Sequence, residues 1–261
     1  MPDIRVISPL EHANKRWFKP TNFSSVSKDR VVALGLSEIP KAMMCLPIGF
    51  IKTETSYLPA VIQGLVPGQN LLVTASGQWV ADYIPVLYRS APFKLAKNSN
   101  GQFVLCVDHD SGLVSDAAAG FPFFADEKNL SEDANAVATQ LMQFETERAR
   151  SIQICKLLDD CGIIEPWNIQ LQRDEELIVV DGIYRINELK MNELPAETLA
   201  AIRNIGGLMV CYAQLFSMQH LQLLGTVAQR THWANRVNAG AEKVVALNIV
   251  DDNGILSFAN L

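Results

Sequence analysis

The feature that most constrains this chain is a helical signature of about thirty residues in its middle, from about Ser131 to Asp160. Ser131 precedes Glu132 and Asp133, an N-cap followed by acids in the first turn, and Gly162 follows the last turn, where a left-handed residue closes a helix. Val137, Leu141, Phe144, Ile152, Cys155 and Leu158 recur at three- and four-residue steps and make one apolar stripe. Helix geometry makes such a segment some 40 Å long, so the rest of the fold has to be laid along it. Arg148 falls on the same stripe. It either snorkels and pairs with an acid at the stripe's edge or holds a carboxylate from elsewhere.

What surrounds this helix reads differently on its two sides. Residues 1–125 read as short strands, turns and one brief helix in "SEIPKAMMCL", opened by Ser37. "LPAVIQGL" and "LLVTA" read as extended runs separated by the turn "PGQN". "FKLAKNSNGQFVLCVD" is a hairpin pattern, with strands Phe93–Lys97 and Phe103–Asp108. After the long helix, "WNIQLQRDEELIVVDGIYRIN" predicts a hairpin leading into a third strand, and "LPAETLAAIRN" a helix with Pro195 near its first turn. "LMVCYAQLFSMQHLQLLGTVAQR" is apolar on most sides, which predicts a central helix packed on several faces. "VVALNIVDDNGILSF" is a terminal β-hairpin with Asn253-Gly254 in its turn. The expected fold is α+β: a β-rich N-terminal half packed against the long helix and a C-terminal helical part, ending in the hairpin.

Charge and cysteine content exclude several functions. The net charge is −6, so a general affinity for nucleic acid is not expected. Residues 1–100 carry 11 Lys/Arg against 6 Asp/Glu, leaving 11 against 22 in the remainder, which points to an internal electrostatic interface. No secretory signal opens the chain, and no apolar run is long enough to span a bilayer. Cys45, Cys106, Cys155, Cys161 and Cys211 are odd in number, form no C-x-x-C, and sit among apolar neighbours. Buried free thiols in a reducing cytoplasm fit that pattern better than a disulfide frame.

Motifs of chemistry are sparse. The sequence holds no G-x-S-x-G, Walker loop or G-x-G-x-x-G, and His12, His109, His220 and His232 fall into no metal-binding spacing. "DHD" at 108–110 gathers ligand types at a strand end, where acids usually face water, so no metal and no cofactor are expected. The remaining candidate is "GQWVADYIPVLYRSAPFKLA", residues 77–96, which sets Trp79, Tyr83, Tyr88 and Phe93 around Arg89 and two prolines. Prolines hold aromatic side chains in extended or turn backbone, which suits a core and a binding surface alike. A nucleic-acid stacking platform needs more surrounding cations than Arg89 and Lys94 supply. Trp79 is expected to be mostly buried and packed against the long helix, and Arg89 paired with a carboxylate that is either internal or belongs to a ligand or partner.

Three blocks, in order and spacing, resemble the SapC family of bacterial proteins. The first is "LPAVIQGLVPGQNLLVTASGQWVADYIPVLYRSAPFKLA"; the second is "GFPFFADEKNLSEDANAVATQLMQFETERARSIQICKLLDDCGIIEPWNI"; the third is "GIYRINELKMNELPAETLAAIRNIGGLMVCYAQLFSMQHLQLL". The resemblance covers roughly residues 35–225, which suggests a domain over 1–225 and an extension over 226–261. Gln214 stands where the family often has histidine. The resemblance implies an accessory protein with a protein partner in an envelope, surface-layer or peptide-modification system, and it transfers no catalytic residue. An alternative is an enzyme or enzyme subunit working with a cupin-type oxygenase or a flavin-dependent halogenase-like protein on a peptide or aromatic substrate.

Overall fold

The structure is a computed structural model that describes residues 3–173, 176–227, 248–251 and 254–256. Its centre is an antiparallel sheet in which residues far apart in sequence pair. Strands β3 (Val31–Ala33), β4 (Ile48–Lys52), β5 (Tyr57–Ile62), β10 (Ile164–Pro166) and β13 (Ile183–Ile186) stand in the order β10-β13-β4-β5-β3. Every residue of β5 is buried, as expected of an apolar strand covered on both faces. A second sheet joins β1 (Ile4–Val6), β6 (Phe93–Lys97) and β7 (Phe103–Asp108) in the order β1-β7-β6. The short strands β2 (Arg16–Trp17), β8 (Val114–Ser115) and β9 (Phe121–Pro122) form a third, and β11 (Ile169–Arg173), β12 (Glu176–Val180), β14 (Asn248–Asp251) and β15 (Gly254–Leu256) a fourth. The terminal hairpin pairs β14 with β11, Leu171 facing Ile249, and so extends the fourth sheet. Both halves of the chain therefore contribute strands, and the α+β class holds.

The long helix α4 (Glu132–Asp160) begins where its cap predicts: Ser131 Oγ accepts the Ala134 amide at 3.2 Å. Its N-terminal half enters a core of Trp17, Phe93, Val107, Phe123, Ala134 and Leu141. Its C-terminal half places Ile154, Cys155 and Leu158 in a larger core with the central sheet and the C-terminal helices. The buried face turns slightly away from the predicted stripe, taking in Ser151 and Ile154 and leaving Ile152 half-buried. A straight 3.6-residue helix drifts in this way against a fixed three-four spacing. Arg148 lies exposed and pairs with Glu145 at 3.2 Å, one turn away.

Short helices close the fold: α1 (Pro9–His12), α2 (Ile39–Ala42), α3 (Val86–Arg89), α5 (Glu188–Asn192), α6 (Ala196–Asn204) and α7 (Gly207–Ser217). The chain bends by 93° between α6 and α7. Gly206 makes the bend with φ +85°, and a Cβ on Gly207 would stand 2.7 Å from Ile202 Cγ2. Among the described residues no single helix is long and apolar enough to cross a membrane. Gln214 is buried and ties α7 to the central sheet: its Oε1 accepts the Ile186 amide at 2.9 Å and its Nε2 donates to the Ile48 carbonyl at 3.4 Å.

One strand expectation needs correction. "LLVTA" forms only an isolated bridge, Val73 to Trp79, because the Leu71 amide donates to the Gln63 carbonyl and the Leu72 amide to Asn70 Oδ1, which turns the chain. Helix α7 packs against several elements as expected, while Met209, Tyr212 and Phe216 stay exposed, with the two rings stacked at 6.1 Å. The charge asymmetry between the two parts of the chain is met mostly at the surface, by Lys15–Asp116, Lys19–Asp133 and Lys94–Asp108, pairs that contribute little to stability.

Candidate functional site

The segment 77–96 is not one pocket, because its residues divide between the two cores. Trp79 is half-buried and donates from Nε1 to the Tyr83 carbonyl at 2.9 Å. Its ring meets Phe23 at 5.9 Å and Tyr88 at 5.8 Å. These ring contacts lie on the loop before β3 and on α3, and Trp79 packs at the edge of the larger core, to which the long helix contributes Ile154, Cys155 and Leu158. Tyr88 is buried, and its hydroxyl accepts from Gln63 Nε2 at 2.8 Å and donates to Asp29 Oδ2 at 3.1 Å. Gln63 in turn accepts from Asn70, which also donates to the Val26 carbonyl. A polar network this complete fixes a core. Burial pushes the Tyr88 phenol well above its ordinary value. Phe93 belongs to the other core, edge-on to Trp17 at 4.8 Å and to Phe123 at 5.6 Å.

The outward edge of the segment is different. Glu38 is buried and accepts three bonds: from the Gly35 amide at 2.9 Å, the Val86 amide at 2.7 Å and the Tyr83 hydroxyl at 2.8 Å. Burial and the neighbouring Glu38 carboxylate push the Tyr83 phenol up, so Tyr83 remains a donor to Glu38 at neutral pH. Arg89 lies over the Tyr83 ring at 5.5 Å and donates from one guanidinium nitrogen to the Tyr83 hydroxyl at 3.1 Å and to the Ile84 carbonyl at 3.2 Å. It is exposed, and among the described residues it makes no ion pair. The internal carboxylate that the sequence left open is therefore not its partner. Tyr83 stands between Glu38 and Arg89 instead.

Two depressions flank α3 where it faces α4. One is a cleft of about 40 Å³ lined by Ser37, Glu38, Arg89, Gln143, Phe144 and Glu147. The other is a slot of about 260 Å³ lined by Leu87, Phe93, Leu95, Leu141 and Phe144, with Lys94 and Glu145 at its rim. Phe144 lines both; we refer to the two together as the α3–α4 track, polar in the first depression and apolar in the second. At the polar end Glu147 accepts from the Ser37 amide at 3.0 Å and from Gln143 at 2.8 Å. Gly35 permits this approach, since a Cβ there would stand 2.5 Å from Glu147 Oε2.

Of the five candidate residues, Arg89 and Phe93 thus line the track, Tyr83 supports Arg89, and Trp79 and Tyr88 belong to the scaffold behind it. Glu38, Leu87 and Glu147 escape sequence reasoning. Only the nearby "SEIP" helix start marks Glu38, and nothing in the sequence shows that it is buried. In "DHD", Asp108 pairs with Lys94 and Asp110 accepts the Asp3 amide, while His109 turns inward towards His12.

All five cysteines are free thiols; Cys106, Cys155 and Cys211 are buried, and Cys45 and Cys161 half-buried. Neither a curated protein nor a solved structure matches the chain. The sequence model of the SapC family does, over residues 7–224, beginning well before the blocks that carry the resemblance and taking in β2, α2 and the whole of α4. With most of its length matched, including both sides of the α3–α4 track, the chain belongs to the SapC family.

Proposed function

We propose that this SapC-family chain is a non-enzymatic accessory protein that holds a carboxylate-bearing segment of a protein partner in the α3–α4 track. The observation that carries this reading is Arg89, an exposed guanidinium held in place on one side by Tyr83 and Ile84 and free of any ion pair among the described residues. A planar fork fixed in this way can bind a carboxylate through its remaining N–H groups without first having to be ordered. The apolar slot with Leu87 at its mouth then takes a neighbouring hydrophobic side chain of the same segment. The family resemblance is what supports a setting in an envelope, surface-layer or peptide-modification system, and five cysteines without a C-x-x-C among apolar neighbours are what support a cytoplasmic location.

The test is photo-crosslinking in the native host with a benzophenone amino acid in place of Leu87. The reading predicts one dominant protein adduct that disappears when Arg89→Ala is added. An adduct that survives Arg89→Ala undiminished would remove the basis for the proposal.

A further inference from the structure

A second cluster lies away from the α3–α4 track, where α1 meets the single 3-10 turn His109–Ser111 after β7. His12 is fully buried at the end of α1, with Phe123 edge-on at 5.3 Å. Its Nε2 faces His109 Nε2 at 3.0 Å. The His12 ring is held by backbone, its Nδ1 3.2 Å from the Ser8 carbonyl oxygen, and the His109 main chain is tied down by its amide, which donates to the Asp3 carbonyl at 2.9 Å. Glu11 Oε1 stands 3.9 Å from His109 Nε2, and the three ligand atoms lie within 4.8 Å of one another.

Two imidazole nitrogens pointing at each other share a single proton, or they share a metal ion. Two donors on a tetrahedral ion with bonds of about 2.0–2.1 Å stand ~3.3 Å apart. The His12–His109 separation needs only a few tenths of an ångström of movement to match that spacing. His12 Nδ1 lies between the Ser8 carbonyl at 3.2 Å and the Ser8 amide at 3.3 Å, and an ion on Nε2 would select the tautomer in which the carbonyl accepts Nδ1–H, the outer arrangement typical of metal-bound histidine. Burial falls away from His12 through His109 to Glu11, so the cluster opens to solvent on the carboxylate side. From this geometry we infer that Glu11, His12 and His109 form a binding site for one divalent transition-metal ion of the class that takes imidazole and carboxylate ligands, with an open coordination position towards solvent. Arg5 competes for the site, because its guanidinium bonds Glu11 Oε1 and also Asp3.

The experiment uses zinc as the probe. Full-length protein is stripped with a chelator and titrated with zinc against a chromophoric competitor, with near-ultraviolet circular dichroism recorded for each variant. The expected result is one zinc per chain, lost in His109→Ala, weakened in Glu11→Gln and tightened severalfold in Arg5→Gln, which frees the carboxylate and removes a cation. Arg5 and Glu11 lie on the exposed side, so those two variants decide the matter even if His109→Ala fails to fold. Cobalt(II) in place of zinc should give visible bands of a tetrahedral or five-coordinate site that His109→Ala abolishes. No uptake by the stripped wild type would show that the histidines merely share a proton. Uptake with the same affinity in the wild type, Glu11→Gln and Arg5→Gln would place zinc elsewhere and also overturn the inference.

Discussion

Replacing Glu38 by alanine tests the scaffold that presents Arg89. The carboxylate is 4% exposed and satisfies the Gly35 and Val86 amides and the Tyr83 hydroxyl at 2.7–2.9 Å. Tyr83 is only half-buried and can recruit water, so the lasting loss is two amide donors stranded in the interior. Stranding each costs about 1–3 kcal/mol, to which the truncation adds a small void, so Glu38→Ala should lose about 3–5 kcal/mol. Glu38→Gln keeps the shape but turns an N–H towards one of the amides, and should cost about 1.5–3 kcal/mol. Urea unfolding followed by circular dichroism measures both, provided the m-value is unchanged. A double-mutant cycle with Tyr83→Phe should show coupling, since the two side chains share a bond. An alanine variant within about 1 kcal/mol of wild type would refute the reasoning, because the cost of desolvating the carboxylate would then offset all three bonds.

Other consequences follow from burial. The Tyr57, Tyr83 and Tyr88 phenols are pushed up chiefly by burial, so the native state holds their protons at a pH where the unfolded chain releases them. Stability should therefore fall as pH rises above about 10, and these tyrosines should ionise at 295 nm only together with unfolding; simultaneous early titration of every phenol would contradict this. Burial raises the Cys155 thiol and pushes Cys211 up to about 12. An aromatic disulfide reagent at pH 8 should label Cys45 and Cys161 first, and Cys106, Cys155 and Cys211 only in denaturant. Trp79→Ala should destabilise by about 2–4 kcal/mol, less than for a fully enclosed indole, and should leave the second core around Phe93 and Trp17 intact by near-ultraviolet circular dichroism.

Local signals with a backbone mechanism were legible in the sequence. Ser131 caps α4, Pro195 stands at the start of α6, and the strands Phe93–Lys97 and Phe103–Asp108 pair as the hairpin pattern predicts. The two helices expected in "LPAETLAAIRN" and "LMVCYAQLFSMQHLQLLGTVAQR" form, though the angle between them could not be read. What could not be read was long-range. The pairing of β13 with β4 brings Tyr184 opposite Phe50, and nothing near either residue specifies it. His12 and His109 come together across 97 positions through β1, β7 and two single-turn helices. The aromatic stretch looked like one site because its residues are consecutive, yet a one-turn helix points Tyr88 inward and Arg89 outward, and the strand after it carries Phe93 into another core. An all-apolar helix such as α7 gives no periodic signal for which side is left uncovered, so the Tyr212–Phe216 face was invisible.

The central claim is that Arg89 serves a partner rather than the fold, and the most direct measurement is of melting temperature and partner affinity on the same Arg89→Lys variant. Lysine keeps the charge but cannot bond Tyr83 and Ile84 on one side while presenting a fork on the other. The account predicts a stability within about 1 kcal/mol of wild type, the loss expected at an exposed site, and partner binding weaker by about 1–3 kcal/mol. Unchanged affinity, or a loss of binding that only follows a loss of folding, would contradict it.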